Sequence, residues 1–361
     1  MKKLCWLIVG MSPYSIKLLN EVAKTYETQV IVDIGKEKNR NNEWKLDNNN
    51  NFKTYFIDEN YKQKIKEFAK EYDIFFDGEY MSKYGHYAIS EFKKNNKITI
   101  LKADGGIAKN RGFVLNTFQS YMMKRHDYFM SSSNETSSYF TYYGVDPNKI
   151  LLYKFTSLTN EDIKTNKELI KNKNEYRKQL NIDDKFTLIS VGQPIRRKGF
   201  DILLNSYIKT GLTDKINLYI IGGKPQEEIK KIADDNKLIN VHFIDLISSN
   251  ELKKYYAASD SFVLCTREDI WGLVIQEAMS FGLPVITSNN CVCGNHFNKI
   301  NNSVIVCDVN DEEAYSHKIK ELYENKDLLK EYSTKALEIV EEYTIENSAK
   351  DVDTIIKSLR R

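Results

Sequence analysis

The feature that most limits what this chain can fold into is an alternation of short apolar runs with amphipathic stretches, interrupted once. Leu4–Gly10, Gln29–Ile34, Lys53–Ile57, Asp73–Phe76, Ile98–Leu101, Asp127–Ser131 and Ile150–Phe155 read as strands, with helical patterns such as Tyr14–Thr25 and Gln63–Glu71 between them. From Thr156 to Asp184 the chain turns polar and charged, which reads as a linker plus a connecting helix. The alternation then restarts with Phe186–Val191, Asn217–Ile221, Val241–Ile244, Ser261–Cys265, Pro284–Thr287 and Ser303–Val306. Repeated βα units predict parallel sheets with helices on both faces. A chain of 361 residues is long for one core, so two such domains are expected. Doubly wound domains in tandem hold ligands at the carboxyl ends of their strands, in the cleft between them. Ser248 and Glu251 form a capping box at the helix after Ile244. The tail from Asp311 is helical with a break near Tyr343–Thr344, and Asn48–Asn51 reads as a flexible loop tip.

Composition narrows the class. A hydrophobic fraction of 41% and a charged fraction of 29% are ordinary for a globular protein. The net charge of +3 is unevenly spread: residues 1–155 carry 24 Lys and Arg against 18 Asp and Glu, and the remainder is slightly acidic. A basic first half suits an anionic membrane surface or an anionic substrate, or is simply a solvated lysine-rich face. The five cysteines make no C-x-x-C pair and no metal-ligand spacing. Cys5, Cys265 and Cys307 lie in apolar runs as small core residues, and reduced thiols are expected. The opening "MKKLCWLIVGMSPYS" reads as a first strand rather than a signal peptide. No stretch approaches the roughly 18–20 apolar residues of a membrane-spanning helix, so membrane contact would be peripheral. No nucleic-acid partner is indicated, and the oligomeric state is open.

Chemistry concentrates in "REDIWGLVIQEAMSFGLPVI", Arg267–Ile286. A strand ends at Thr266, a loop runs to Gly272, and a helix follows from about Leu273 to Phe281. Trp271, Gly272 and Leu273 cannot cap this helix through a side chain, so the first amides, those of Leu273 and Val274 included, are open to an anion. Gly272 lets a ligand approach the backbone. Glu277, near the first turn and facing the loop, can accept both hydrogen bonds of a ribose diol, and Asp269 can hold the hydroxyls of a second sugar. Upstream, "SVGQPIRRKGF" puts Arg196, Arg197 and Lys198 after a strand end and before a helix, a charge set that suits a diphosphate leaving group or a solvated basic turn.

These two segments resemble the signatures of the family-four retaining glycosyltransferases, which have the GT-B fold: α/β, two doubly wound Rossmann-like domains facing each other across a cleft. The family motif has two glutamates eight apart with Phe-Gly or Trp-Gly between them. Here Asp269 stands at the first and Glu277-Ala278-Met279 at the second. The family's phosphate loop reads Val-Gly-Arg and then Lys-Gly. Lys198-Gly199 match, Gln193 replaces the arginine, and Arg196 or Arg197 would supply the missing charge. The turn at Gly223 resembles that beside the nucleotide base. The resemblance implies an acceptor-binding domain over 1–165, a donor-binding domain over 166–343 and a helix over 344–361 crossing back to the first. It implies transfer from a nucleoside diphosphate sugar, UDP-sugar favoured, to a saccharide or lipid-linked acceptor in cell-surface polysaccharide synthesis, on the cytoplasmic side of the membrane.

In the first domain, Gly10, Met11 and Ser12 follow the first strand, so their backbone is expected to face the cleft. They are not a G-x-G-x-x-G, which argues against a dinucleotide oxidoreductase. The family often has a histidine in the loop after a central strand. Here Asp104 takes that place, as a group touching sugar or acceptor hydroxyl or as an Asp-Gly turn. The catalytic set is then Asp104, Lys198, Asp269 and Glu277. His126 is expected at the surface, and His86 is a lesser candidate. No metal or cofactor is expected, the one D-x-D pair, Asp351 and Asp353, being read as a solvated helix face. The other reading is a non-catalytic protein of the same fold that binds a nucleotide-sugar or stabilises an active partner.

Overall fold

Every strand pair in the computed structural model, which describes residues 2–34 and 50–360, is parallel. Two sheets result, each in its own compact unit, comprising residues 1–157 with 344–361 and residues 158–343. The expected flexible tip at Asn48–Asn51 begins outside the described residues. Asn50 and Asn51 are hydrogen bonded to Asn20 at 3.0 and 2.8 Å.

The first unit runs β1 (Lys3–Val9), α1 (Pro13–Ala23), β2 (Glu27–Asp33), β3 (Lys53–Phe56), α2 (Tyr61–Glu71), β4 (Ile74–Asp77), α3 (Lys83–Lys94), β5 (Ile98–Ala103), α4 (Phe113–Met123), β6 (Tyr128–Ser131), α5 (Asn134–Tyr142) and β7 (Ile150–Leu152). The strand order β3-β2-β1-β4-β5-β6-β7 reverses between β1 and β4. Central strands such as β4 are buried along their whole length, as a sheet covered on both faces requires.

The second unit runs α6 (Asn160–Ile170), α7 (Lys173–Gln179), β8 (Phe186–Val191), α8 (Phe200–Lys209), β9 (Ile216–Ile221), α9 (Glu227–Asp235), β10 (Val241–Ile244), α10 (Ser249–Ala258), β11 (Ser261–Leu264), α11 (Leu273–Ser280), β12 (Val285–Ser288), α12 (Val292–Asn301), β13 (Val304–Cys307), α13 (Glu312–Glu324) and α14 (Lys326–Val340). Its order β10-β9-β8-β11-β12-β13 reverses between β8 and β11. The loops leaving those two strands lie at the carboxyl ends of the sheet, where open α/β sheets bind ligands.

Several local expectations change. The polar stretch after Thr156 holds two helices, α6 opened by a Thr159–Asp162 capping box. Both belong to the second unit, since Arg177 and Lys173 of α7 grip Asp260 at 2.6 Å each, and the same carboxylate accepts the Thr187 amide at 2.7 Å. The division therefore falls at Ser157–Leu158, ahead of α6, rather than within it at 165. Helix α15 (Ile345–Ser358) packs on α1 in the first unit. Its Asp351 and Asp353 are tethers rather than a solvated face: Asp351 accepts the Lys154 amide at 2.9 Å, and Asp353 accepts the Tyr26 hydroxyl at 2.7 Å. His126 is buried rather than at the surface. It lies between the Met123 carbonyl at 2.9 Å and the Asp77 carboxylate at 3.1 Å, with both side chains of the pair fully enclosed. A carboxylate at the end of β4 needs a partner when buried, and the fold supplies the imidazole.

Candidate functional site

Two loops meet at the switch point of the second unit. After β8 the chain makes a single turn over Arg196–Lys198 and enters α8 through Gly199. Gly199 has φ +68°, and a Cβ there would lie 1.9 Å from the Cys265 carbonyl oxygen, so only glycine fits. This close approach sets the β8 loop directly against the β11 loop. Hydrogen bonds join them: the Arg197 carbonyl accepts the Arg267 amide at 2.8 Å and the Thr266 hydroxyl at 3.0 Å, and the Arg197 guanidinium reaches the Glu268 carbonyl at 2.7 Å.

Across that seam, Lys198 Nζ donates to Asp269 Oδ2 at 2.7 Å, with the two side chains 13% and 11% exposed. Two candidates 71 positions apart are thus brought into one ion pair. Arg267, to which the sequence reading assigned no role, holds Asp201 at the start of α8 through both guanidinium nitrogens and also reaches the Arg196 carbonyl at 2.8 Å. Burial alone would raise the Asp201 carboxyl. The Arg267 hydrogen bonds and charge outweigh burial and, with backbone donors, carry it below the usual aspartate range.

Helix α11 begins at Leu273 with Gly272 as its N-cap, at φ +101°, and no side chain caps it. A Cβ at Gly272 would lie 2.8 Å from Cys291 Sγ and 3.8 Å from the Asp269 carboxyl carbon. The Leu273 and Val274 amides have no intrahelical acceptor, so this end of the helix is electropositive. The loop before it is pinned from the other side: Asp269 exchanges backbone bonds with Asn290 and Val292 at 3.0 and 3.1 Å, and the Trp271 carbonyl accepts the Cys293 amide at 2.9 Å. Burial first, and the Asp269 charge second, push the Cys291 thiol up to about 12, so it is a neutral packing group. All five cysteines are free and buried.

The remaining donor-side candidates fall into distinct places. Trp271 is 3% exposed and donates its indole N–H to Gln276 at 3.1 Å, so its side chain is a core pillar, and only its backbone lies along the loop. Glu277 is the fifth residue of α11, in the second turn rather than the first. It neighbours the buried Tyr256 hydroxyl, whose pKa is raised by desolvation and further by the Glu277 charge. Gln193, Arg196 and Arg197 are exposed, and Gly223 sits after β9 against Pro194.

In the first unit, Gly10 and Ser12 follow β1, Met11 is buried, and the Ser12 hydroxyl caps α1 by accepting the Ser15 amide at 3.4 Å. Asp104, after β5, is not a bare turn residue. It is ion-paired with Lys102 and accepts the Tyr153 hydroxyl. Desolvation, then the Asp104 charge, raise the Tyr153 pKa. Tyr153 was missed in the sequence because its partner Asp104 lies 49 positions away at the end of another strand. Lys102, two residues before Asp104 on a strand, carries the one local signal, since i and i+2 share a face. His86 is engaged with the Tyr80 carbonyl at 2.8 Å. Among the described residues no group of three or more His, Cys, Asp or Glu is placed to hold a metal.

Two doubly wound parallel α/β units, with the last helix packed in the first of them, make this a GT-B fold. The solved structure of Anabaena Alr3699/HepE in complex with UDP aligns over 99% of this chain and 100% of that one, with a TM-score of 0.80 at 14% identity, a likeness of fold. Residues 172–338 match the family model described as "Glycosyl transferases group 1". An "Uncharacterized 41.2 kDa protein in cps region" of Klebsiella pneumoniae is 32% identical over 149 residues, which are 40% of this chain and 38% of that protein. Lipopolysaccharide glucosyltransferase WaaG of Escherichia coli (strain K12) is 28% identical over 137 residues, 37% of this chain and 34% of WaaG. The matched segments span well under half the length of these relatives. The second unit is therefore similar in sequence to group 1 glycosyltransferases, and the whole chain is similar in fold to solved GT-B structures.

Proposed function

We propose that this protein is a retaining glycosyltransferase that moves a sugar from a nucleoside diphosphate sugar, UDP-sugar favoured, to a saccharide or lipid-linked acceptor of a cell-surface polysaccharide. The observation that carries the proposal is the uncapped α11 N-terminus at Gly272 beside the Lys198–Asp269 pair, at the switch point of the second sheet. A pyrophosphate there would be met by the Leu273 and Val274 amides and by Lys198, and Arg196 or Arg197 would add charge from the loop edge. Charge developing on the departing phosphate is stabilised by groups already in place, without a metal. Glu277 would hold the ribose hydroxyls, and Asp269 the transferred sugar. Retention would follow if the departing phosphate oxygen takes the acceptor proton on the same face. Asp104 would orient the acceptor from the first unit. The relatives' names, a lipopolysaccharide glucosyltransferase and a protein of a cps region, favour a surface polysaccharide as the product.

A second reading, a non-catalytic nucleotide-sugar binder or partner-stabilising protein, is favoured by one observation: Asp104 and Asp269 are both engaged by lysines of the protein itself. A thermal-shift screen of nucleoside diphosphates and their sugars, followed by donor turnover, separates the two. We expect UDP or a UDP-sugar to raise Tm, and turnover to drop by about a hundredfold or more in Glu277→Ala and Lys198→Ala. Nucleotide binding without turnover in the unaltered protein supports the second reading, and unchanged turnover in both variants overturns the site.

A further inference from the structure

We infer that Lys102 and Tyr153 are positioning residues, which fix Asp104 so that one oxygen of its carboxylate is left for the hydroxyl of the acceptor. The inference rests on the glycosyltransferase reading and says how its acceptor would be held. Asp104 follows β5 and Tyr153 follows β7, so both stand at the carboxyl ends of parallel strands. The Tyr153 amide donates to the Ser131 carbonyl at the end of β6 at 3.0 Å, which fixes its backbone against the neighbouring strand. Two donors then converge on one atom: the Lys102 ammonium and the Tyr153 hydroxyl both donate to Asp104 Oδ1. Among the described residues no hydrogen bond is donated to Oδ2, and the Asp104 side chain is 29% exposed. A carboxylate oxygen has two lone pairs, so Oδ2 keeps its full accepting capacity.

The two donors are themselves enclosed. Tyr153 is buried, and the Lys102 side chain is 12% exposed. The Lys102 ammonium lies 5.3 Å from the centre of the Tyr153 ring and 5.4 Å from that of Phe155, and Tyr14 meets Phe155 edge-on at 5.3 Å. A cation held over two rings has few orientations, and an enclosed one needs a counter-ion, so this lysine is committed to Asp104. Burial, then the Asp104 charge, keep the Tyr153 hydroxyl protonated and therefore a donor. A partly exposed carboxylate whose rotation is stopped by two such donors accepts a further hydrogen bond from one direction. A sugar hydroxyl donating to Oδ2 would have its oxygen held in place for attack. The bond from the anomeric carbon to the leaving phosphate breaks as the new glycosidic bond forms. The hydroxyl proton passes to the phosphate oxygen, so Asp104 orients the acceptor without exchanging a proton.

The test compares transfer with hydrolysis in the full chain. With the UDP-sugar that raises Tm, UDP release is measured in water alone and with octyl glycosides of glucose, galactose and N-acetylglucosamine. We expect the unaltered protein to glycosylate at least one of them. Tyr153→Phe keeps the ring and its packing, and should lower transfer by about tenfold while hydrolysis and the UDP thermal shift stay unchanged. Lys102→Met should lower transfer by about tenfold or more, and Lys102→Arg, which keeps the cation, should lose less. In Asp104→Asn, where no charge remains to be held, adding Tyr153→Phe should lower transfer by less than about threefold further. Transfer at the unaltered rate in both Tyr153→Phe and Lys102→Met overturns the inference. So does hydrolysis that falls in parallel with transfer, since the three residues then only brace the fold. Donor hydrolysis by the unaltered protein with no glycoside glycosylated overturns it too. Absence of both a UDP shift and hydrolysis in the unaltered protein sinks the glycosyltransferase reading, and this inference with it.

Discussion

At the scale of single residues, Asp269 stands where a glutamate is usual in the resembling motif, and its shorter side chain is committed to Lys198 at 2.7 Å. Under the proposed function this cation beside an uncapped helix end would meet an anion, because the lysine and the amides draw the same charge. The pair is also structural, since each member is nearly enclosed. Lys198→Met strands a carboxylate, and we expect a loss of about 3 kcal/mol in urea unfolding. Adding Asp269→Leu should return much of that loss, giving a coupling energy of about 1 kcal/mol or more in the double-mutant cycle. Lys198, Asp269 and Gly272 were legible in the sequence because their spacing puts them on the loops after β8 and β11, which flank the switch point whatever else the fold does. His126 was misread for the complementary reason. Its burial depends on Asp77, 49 positions away, which leaves no local trace.

At the scale of elements, the strands were readable because buried parallel strands are nearly unbroken apolar runs. Helix α12 was not. Its sequence VCGNHFNKIN mixes polar and small residues, and Gly294 lets it press onto β12 with no Cβ to mark a stripe, its neighbour being the Thr287 methyl. The polar segment after Thr156 read as one connecting helix where there are two, because α7 is anchored by charge, Arg177 and Lys173 on Asp260, rather than by an apolar face. The seam between α8 and the β11 loop also rests on charge, Arg267 on Asp201. The folded Asp201 carboxyl lies below its unfolded value, so the pair stabilises fully above about pH 4 and its contribution is lost as pH falls through the lower folded value. We expect the urea midpoint to fall on moving from pH 6 to pH 3, and to fall less in Asp201→Asn, measured on the transition of the second unit.

At the scale of the molecule, the chain leaves the first unit at Ser157 and re-enters it at Thr344. Helix α15 then lays Val352, Ile355 and Ile356, all buried, into that unit, and pins itself through Asp351 and Asp353. Removing residues 344–361 should strip a face of α1 and lower the melting temperature of the first unit by several degrees, read by calorimetry as the shift of one transition while the other stays in place. Two pieces of the first unit are thus separated by everything from Leu158 to Tyr343. A ribosome emitting roughly 5–20 residues per second takes on the order of 10–40 seconds to deliver the second piece. Throughout that interval the earlier half of the protein waits unfinished, and the later half is free to mature first.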